Sequence, residues 1–239
     1  DELREALARI RELGMEPIPK LNFSAGHDTW LGDYSRMVST PAYYKVCEEL
    51  IAEVCDLFDQ PRFFHLGMDE ETQSNQWRQL IAVIRQHHLW WNDLRWLSDQ
   101  VVSHGSRPWI WADMWWIPGR WRTFRDEPIP ADMLKRKDIV HSNWHYGDFS
   151  PITDTSPFPK GQIESFAAAE AAGFDQVPTG SNFRLPYNLP LVARFARETI
   201  APERLLGFLQ APWRKTIEPM RELHLEALEA VRKARQVFD

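Results

Sequence analysis

The chain has 239 residues, 44% of them hydrophobic, and 34 acidic against 28 basic side chains give it a formal charge of −6. The basic residues are scattered among acids, which excludes the broad cationic face that phosphate neutralisation needs, so no nucleic-acid partner is expected. No apolar run approaches the ~20 residues that span a bilayer, so no membrane partner is expected, and the length suits one large core in a single domain over 1–239.

The opening DELREALARIRELG reads as a charged amphipathic helix rather than a signal peptide, and Gly14 stops it. Residues 18–23 form a short predicted strand that exits into the loop Ser24-Ala25-Gly26-His27-Asp28. Pro41 opens a helix over 42–58, with Val46, Leu50, Ile51, Val54 and Leu57 at helical spacing. Its two cysteines, Cys47 and Cys55, lie roughly 12 Å apart along the axis and cannot pair with each other. Free cysteines lean toward a reducing, cytoplasmic setting for a soluble chain.

A strand over 62–67 follows and ends in Met68-Asp69-Glu70-Glu71, and helical pattern then fills about 74–104 in two pieces that Gly105 closes. The rhythm repeats with strands at 109–113, 139–144, 174–177 and 205–210, and helices over 164–172, 189–199 and 217–237. Strands alternating with helices give parallel βαβ units. Polar or aromatic groups leave nearly every strand: Asn22 and His27, Asp69 and Glu70, Asp113, Trp115 and Trp116, Trp144 and His145, Gln210 and Trp213. That is the pattern of a (β/α)8 TIM-type barrel, with six of the expected eight strands in the chain. A doubly wound sheet is the alternative, disfavoured because no glycine-rich phosphate loop follows any strand. The long loops 114–137, with Trp115, Trp116, Trp121 and Phe124, and 147–162 are expected to shape a binding cleft.

The 12 Trp residues, many near predicted strand ends and loops, supply the flat apolar faces on which pyranose rings stack, so carbohydrate is the expected partner. Filling a large core is the competing reading for any single one. Strand alternation puts Phe63, His65, Gly67 and Asp69 on one face and Phe64, Leu66, Met68 and Glu70 on the other. The bulky set suits the helix side, so His65 and Asp69 line the interior while Glu70, just past the strand, leans over the mouth. A solvated acidic turn is the bland alternative for Asp69 and Glu70.

Adjacent carboxylates do not readily flank one glycosidic bond from opposite sides at ~5 Å or more, as the usual acid and nucleophile do. They suit another division of labour, in which one protonates the leaving oxygen and its neighbour orients a nucleophile belonging to the substrate. Asp69 and Glu70 are therefore the expected catalytic pair. His65 and Asp69 lie ~13 Å apart along a regular strand, too far to share a metal, and no metal or cofactor is expected.

The run His65-Leu66-Gly67-Met68-Asp69-Glu70 resembles the His-x-Gly-Gly-Asp-Glu motif of family 20 glycoside hydrolases, the β-N-acetylhexosaminidases. The stretch from Gly14 to His27 resembles that family's Gly-Ile-Glu-Val-Ile-Pro-Glu-Ile-Asp-x-Pro-Gly-His segment. Trp111-Ala112-Asp113 is similar to its Trp-Asp-Glu strand, Ile139 to Trp144 to its next strand ending in Trp, and Gly207 to Trp213 to its last strand. The resemblance implies a retaining, substrate-assisted glycosidase in which Glu70 is the general acid and base and Asp69 orients the 2-acetamido group. It also implies that Trp111, Trp144 and Trp213 wall the sugar pocket, that His27 and His65 support it, and that Asp113 contributes to substrate binding. The sequence departs from the family at Asn22, Ala25 and Met68, lacks a Tyr-x-Asp over 177–183, and carries Arg214-Lys215 where an acid is normal. By this resemblance the barrel's first two strands are absent, and a missing N-terminal segment or a second chain is expected to complete it. Two further readings stand beside the hexosaminidase: a non-catalytic carbohydrate-binding barrel, and a hydrolase of other β-glycosides using Glu70 with Asp113.

Overall fold

A computed structural model describes residues 2–86, 88–117, 128–149 and 161–239. In chain order these form α1 (Glu2–Glu12), α2 (Pro41–Leu57), β1 (Phe63–Gly67), α3 (His88–Ser103), β2 (Arg107–Trp111), the single turn α4 (Asp113–Trp116) and β3 (Val140–Ser142). They continue with α5 (Gly161–Ala171), β4 (Thr179–Gly180), α6 (Asn188–Thr199), β5 (Leu209–Gln210) and α7 (Arg221–Arg235). Among the described residues, no helix is long and apolar enough to cross a membrane.

The expected six-strand barrel is not formed. The described strands make two small parallel sheets instead, one of order β1-β2-β3 and one pairing β4 with β5. The physical causes lie in single residues. Residues 18–23 form one β-bridge to β1, Lys20–His65, beyond which the Phe23 N–H donates to the Leu66 carbonyl at 2.9 Å, and Pro19 has no N–H to extend the ladder toward the start of β1. The 174–177 segment likewise contributes one residue, Gln176, bridged to His141 on one side and Leu205 on the other. Pro178 then interrupts that ladder, and β4 forms as a separate two-residue piece beyond it. Of the predicted strand at 205–210, only Leu209 and Gln210 pair as β5.

The two helical pieces expected over about 74–104 also differ: a short turn at Ser74–Gln76 is followed by non-helical chain over 77–86, and one helix, α3, follows. Side chains capture the backbone groups a helix would use. Val83 N–H donates to Gln76 Oε1 at 2.8 Å, Gln76 Nε2 donates back to Val83 O at 2.7 Å, and Arg85 N–H goes to Glu71.

One large core lies on the helix side of β1. Phe64, Leu66 and Met68, all fully buried, meet Tyr43, Cys47, Ile51 and Cys55 of α2 and Leu94, Leu97 and Val101 of α3. Each such side chain contributes roughly 1.5–3 kcal/mol of burial. Thr40 caps α2 by accepting the Tyr43 N–H, Pro41 occupies its first turn, and both cysteines are free and buried. Trp115 is fully buried in the same core and Trp116 packs against it, so neither shapes a cleft as the sequence suggests. Trp121 and Phe124, and residues 150–160 of the second loop, lie outside the described residues.

Under Trp115 and Trp116 sits His141, stacked 4.2 Å from the Phe174 ring, with its Nδ1 accepting the Trp116 indole N–H at 2.8 Å. Burial, then the charges of Lys137 and Arg107, push its pKa from 6.5 down to about 3, so it folds neutral. The unfolded chain takes up this proton as pH falls through 6.5, whereas the folded chain resists until about 3. Its contribution to stability is therefore present above 6.5 and lost on acidification, at about 1.4 kcal/mol per pH unit. Urea unfolding between pH 7 and 4.5 should show this slope in the native chain and a shallower one in His141→Phe.

Candidate active site

The end of β1 is where local backbone geometry builds a site. Gly67, Met68 and Glu70 all have left-handed φ values, of 72°, 71° and 49°. Only glycine fits at 67, since a Cβ there would lie 2.0 Å from Asn22 Oδ1. A regular strand would send Asp69 and Glu70 to opposite faces; this turn delivers both to one cavity. Asn22 holds the turn from the neighbouring segment. Its Oδ1 accepts the N–H groups of Ser24 (3.0 Å) and Met68 (3.2 Å), and its Nδ2 donates to Asp69 Oδ1 at 2.7 Å. The Ser24 hydroxyl donates to the Asp69 carbonyl oxygen.

Directly after the pair, Glu71 is wholly buried and ion-paired with the equally buried Arg85 at 2.6 Å. Arg85 also donates to Asp93 Oδ2 of α3 at 2.9 Å and to the Phe23 carbonyl at 2.7 Å, while Glu71 accepts the Ala25 N–H at 3.0 Å. One guanidinium thus ties the 22–25 loop, the carboxylate turn and α3 together.

The resulting cavity measures about 240 Å³, near the small end of ligand pockets and of a size for one sugar ring. Asp69, Glu70, His27, Asn22 and Lys20 line its polar part, and Trp111, Trp144, Tyr146 and Trp213 its aromatic part. Trp111 and Trp213 lie 6.1 Å apart, and Trp144 stacks on Tyr146 at 5.1 Å. Trp213, 47% exposed with a φ of 51°, is the open edge of this wall.

His27 Nε2 is 3.6 Å from both Asp69 Oδ2 and Glu70 Oε2. Burial disfavours its charged form, but interaction with Glu70 and the charges of Asp69, Glu70 and Asp113 outweigh it and raise its pKa. His27, Asp69 and Glu70 are also the described residues that could share a metal ion, their donor atoms lying within 4.8 Å of one another. The same separations are those of an imidazolium held between two carboxylates.

Not every residue singled out from sequence reaches the cavity. Asp113, only 1% exposed, lies beneath it and accepts the Glu70 backbone N–H at Oδ2 (3.0 Å). Burial, and then the charges of Asp69 and Glu70, raise its pKa well above the carboxylate range. His65 is buried against Trp109 and Trp111, its Nδ1 accepting the Gly67 N–H at 3.0 Å. Burial followed by the charge of Lys20 drives its pKa well down, so it is a neutral support for the Trp111 ring. Two lining residues are missing from the sequence reading, Lys20 and Tyr146. Alternation carries a signal for both, because Lys20 stands two before Asn22 and Tyr146 two after Trp144.

No protein-family model matches the chain, and no curated protein matches it. A solved structure similar to it is that of the GH20 beta-N-acetylhexosaminidase from Streptomyces coelicolor A3(2), at 12% identity and a TM-score of 0.47. The likeness covers 74% of this chain and 33% of that one, so the chain spans about a third of that protein's length.

Substitutions at Gly67 and Arg85 test the scaffold, with Gly26 as a control. Gly67→Ala should lose at least ~1–2 kcal/mol from left-handed strain alone, with more from displacing Asn22. Gly26→Ala, whose added Cβ would meet its nearest atom at 3.5 Å, should be close to neutral in the same urea titration. Arg85→Met should cost about 3–5 kcal/mol by leaving Glu71 and Asp93 buried and unpaired, and adding Glu71→Gln should recover part of that loss.

Proposed function

We propose that this chain is a glycoside hydrolase that releases β-linked 2-acetamido sugars by a retaining, substrate-assisted route. The observation that carries the reading is the adjacent pair Asp69 and Glu70, sharing His27 on one side of a cavity whose other walls are aromatic. Both acids belong to one turn, and the third acid nearby, Asp113, is beneath the cavity and occupied by the Glu70 N–H. Among the described residues, that arrangement supplies no carboxylate across the sugar to act as a nucleophile. A nucleophile within the substrate removes the need for one.

In this reading the pyranose stacks on the indole faces, and Glu70 passes a proton to the glycosidic oxygen as the bond to the anomeric carbon breaks. The acetamido carbonyl oxygen forms the new bond to that carbon, giving an oxazolinium ion. Asp69, steadied by Asn22, accepts the acetamido N–H and stabilises the charge that develops there. Glu70 then takes a proton from water, which opens the ring with net retention. His27 offsets the two carboxylate charges, and Asp113 fixes Glu70 through its backbone.

The test compares nitrophenyl N-acetyl-β-glucosaminide with nitrophenyl β-glucoside. Wild type should release nitrophenol from the first and leave the second intact. Glu70→Gln should slow substrates with poor leaving groups far more than activated aryl ones, whose leaving oxygen scarcely needs a proton. Asp69→Asn should slow both alike, on the order of 10²-fold or more. Brisk hydrolysis of the glucoside by wild type would falsify the neighbouring-group route, and sugar binding without any turnover would favour the non-catalytic alternative.

A further inference from the structure

The cavity contains a cation that the proposed chemistry does not use. Lys20, fixed by its bridge to His65, lines the wall with Nζ 4.8 Å from the Trp111 ring and 5.8 Å from the Trp213 ring. These are cation–π distances, and they leave the ammonium's three N–H donors without an acceptor among the described residues. The two carboxylates of the site are served elsewhere, Asp69 by Asn22 and both by His27. Burial lowers the pKa of Lys20, and the charge of Asp69 only partly opposes that. The cavity thus holds two carboxylates at the turn after β1 and an amine where Lys20 meets the indoles.

A neutral sugar would leave the Lys20 ammonium without a charged hydrogen-bond acceptor against an aromatic wall. An oxyanion carried on the same ring would satisfy it through charge-assisted hydrogen bonds, which are among the stronger polar contacts a protein makes. Arg214 and Lys215 follow Trp213 in the sequence, the Arg214 guanidinium lying over the Phe183 ring rather than in the cavity.

We propose that Lys20 forms an anion subsite, and that the sugar taken by this cavity carries a sulfate or phosphate ester. This rests on the reading of the cavity as a 2-acetamido-pyranose site, which places the ester on a remaining hydroxyl of that ring.

Binding, rather than turnover, tests it. Kd values would be measured by calorimetry and tryptophan fluorescence for N-acetylglucosamine, its 3-, 4- and 6-sulfates, and its 6-phosphate. At low ionic strength at least one ester should bind about tenfold tighter than the neutral sugar, and the advantage should shrink in 0.5 M salt. Tighter binding of sulfates alone or of the phosphate alone identifies which ester is taken. In Lys20→Gln the ratio of charged to neutral affinity should fall to about one, and in Lys20→Arg it should persist, which separates charge from folding. Equal affinities for charged and neutral sugars overturn the subsite and leave the hexosaminidase reading standing, as does an advantage that survives Lys20→Gln. If neither sugar class binds, both readings fail together.

Discussion

The rest of the site depends on the buried ion triad of Arg85, Glu71 and Asp93. Burying three charges is costly, and a triad of this kind repays its desolvation only when nearly every donor and acceptor is matched. Here Arg85 bonds two carboxylates and the Phe23 carbonyl, and Glu71 also takes the N–H groups of Ala25 and Arg85. The reward is positional. The residue after Glu70 is held to within a hydrogen bond of the 22–25 loop, so the carboxylate pair and His27 cannot drift apart without breaking the triad.

Above that anchor the chain holds a concentration of like charge. Carboxylate oxygens of Asp69 and Glu70 fall within 4.8 Å of each other, where two unit charges repel by roughly 3–4 kcal/mol at an effective dielectric of 20. His27 between them, the Asn22 amide on Asp69 and the backbone N–H of Glu70 on Asp113 are the compensations. The strained left-handed backbone at Met68 and Glu70 belongs to the same balance. It persists because Asn22 and Asp113 accept the N–H groups of those two residues.

The sheets show how single residues decide closure. Pro19 and Pro178 withhold N–H donors from ladders that the hydrophobic pattern alone would continue, and the register of β1 against β2 slips between His65 and Gly67. The left-handed turn through Gly67, Met68 and Glu70 brings Asp69 and Glu70 to one cavity, so the irregularity that ends β1 also assembles the site.

Much of this was legible in the sequence for reasons of periodicity and chemistry. The alternation Phe64, Leu66, Met68 foretells a helix-facing core because side chains repeat every two residues on a strand, and Pro41 with the 3.6-residue spacing foretells α2. The indoles Trp111, Trp144 and Trp213 and the acids Asp69 and Glu70 stand out because they follow strands, and all five line one cavity. Other features are decided by partners distant in sequence. A helix pattern over 74–104 cannot reveal that Glu71 and Gln76 will claim the backbone of residues 83–85, nor can a strand pattern show that Asn22 will force a glycine at 67. Whether Asp113 and His65 face the cavity or lie beneath it, and whether Lys20 reaches the indole faces, depends on how neighbouring strands stagger. Local pattern determines which residues can take part; tertiary packing decides which of them meet, because hydrogen bonds and charges act across space rather than along the chain.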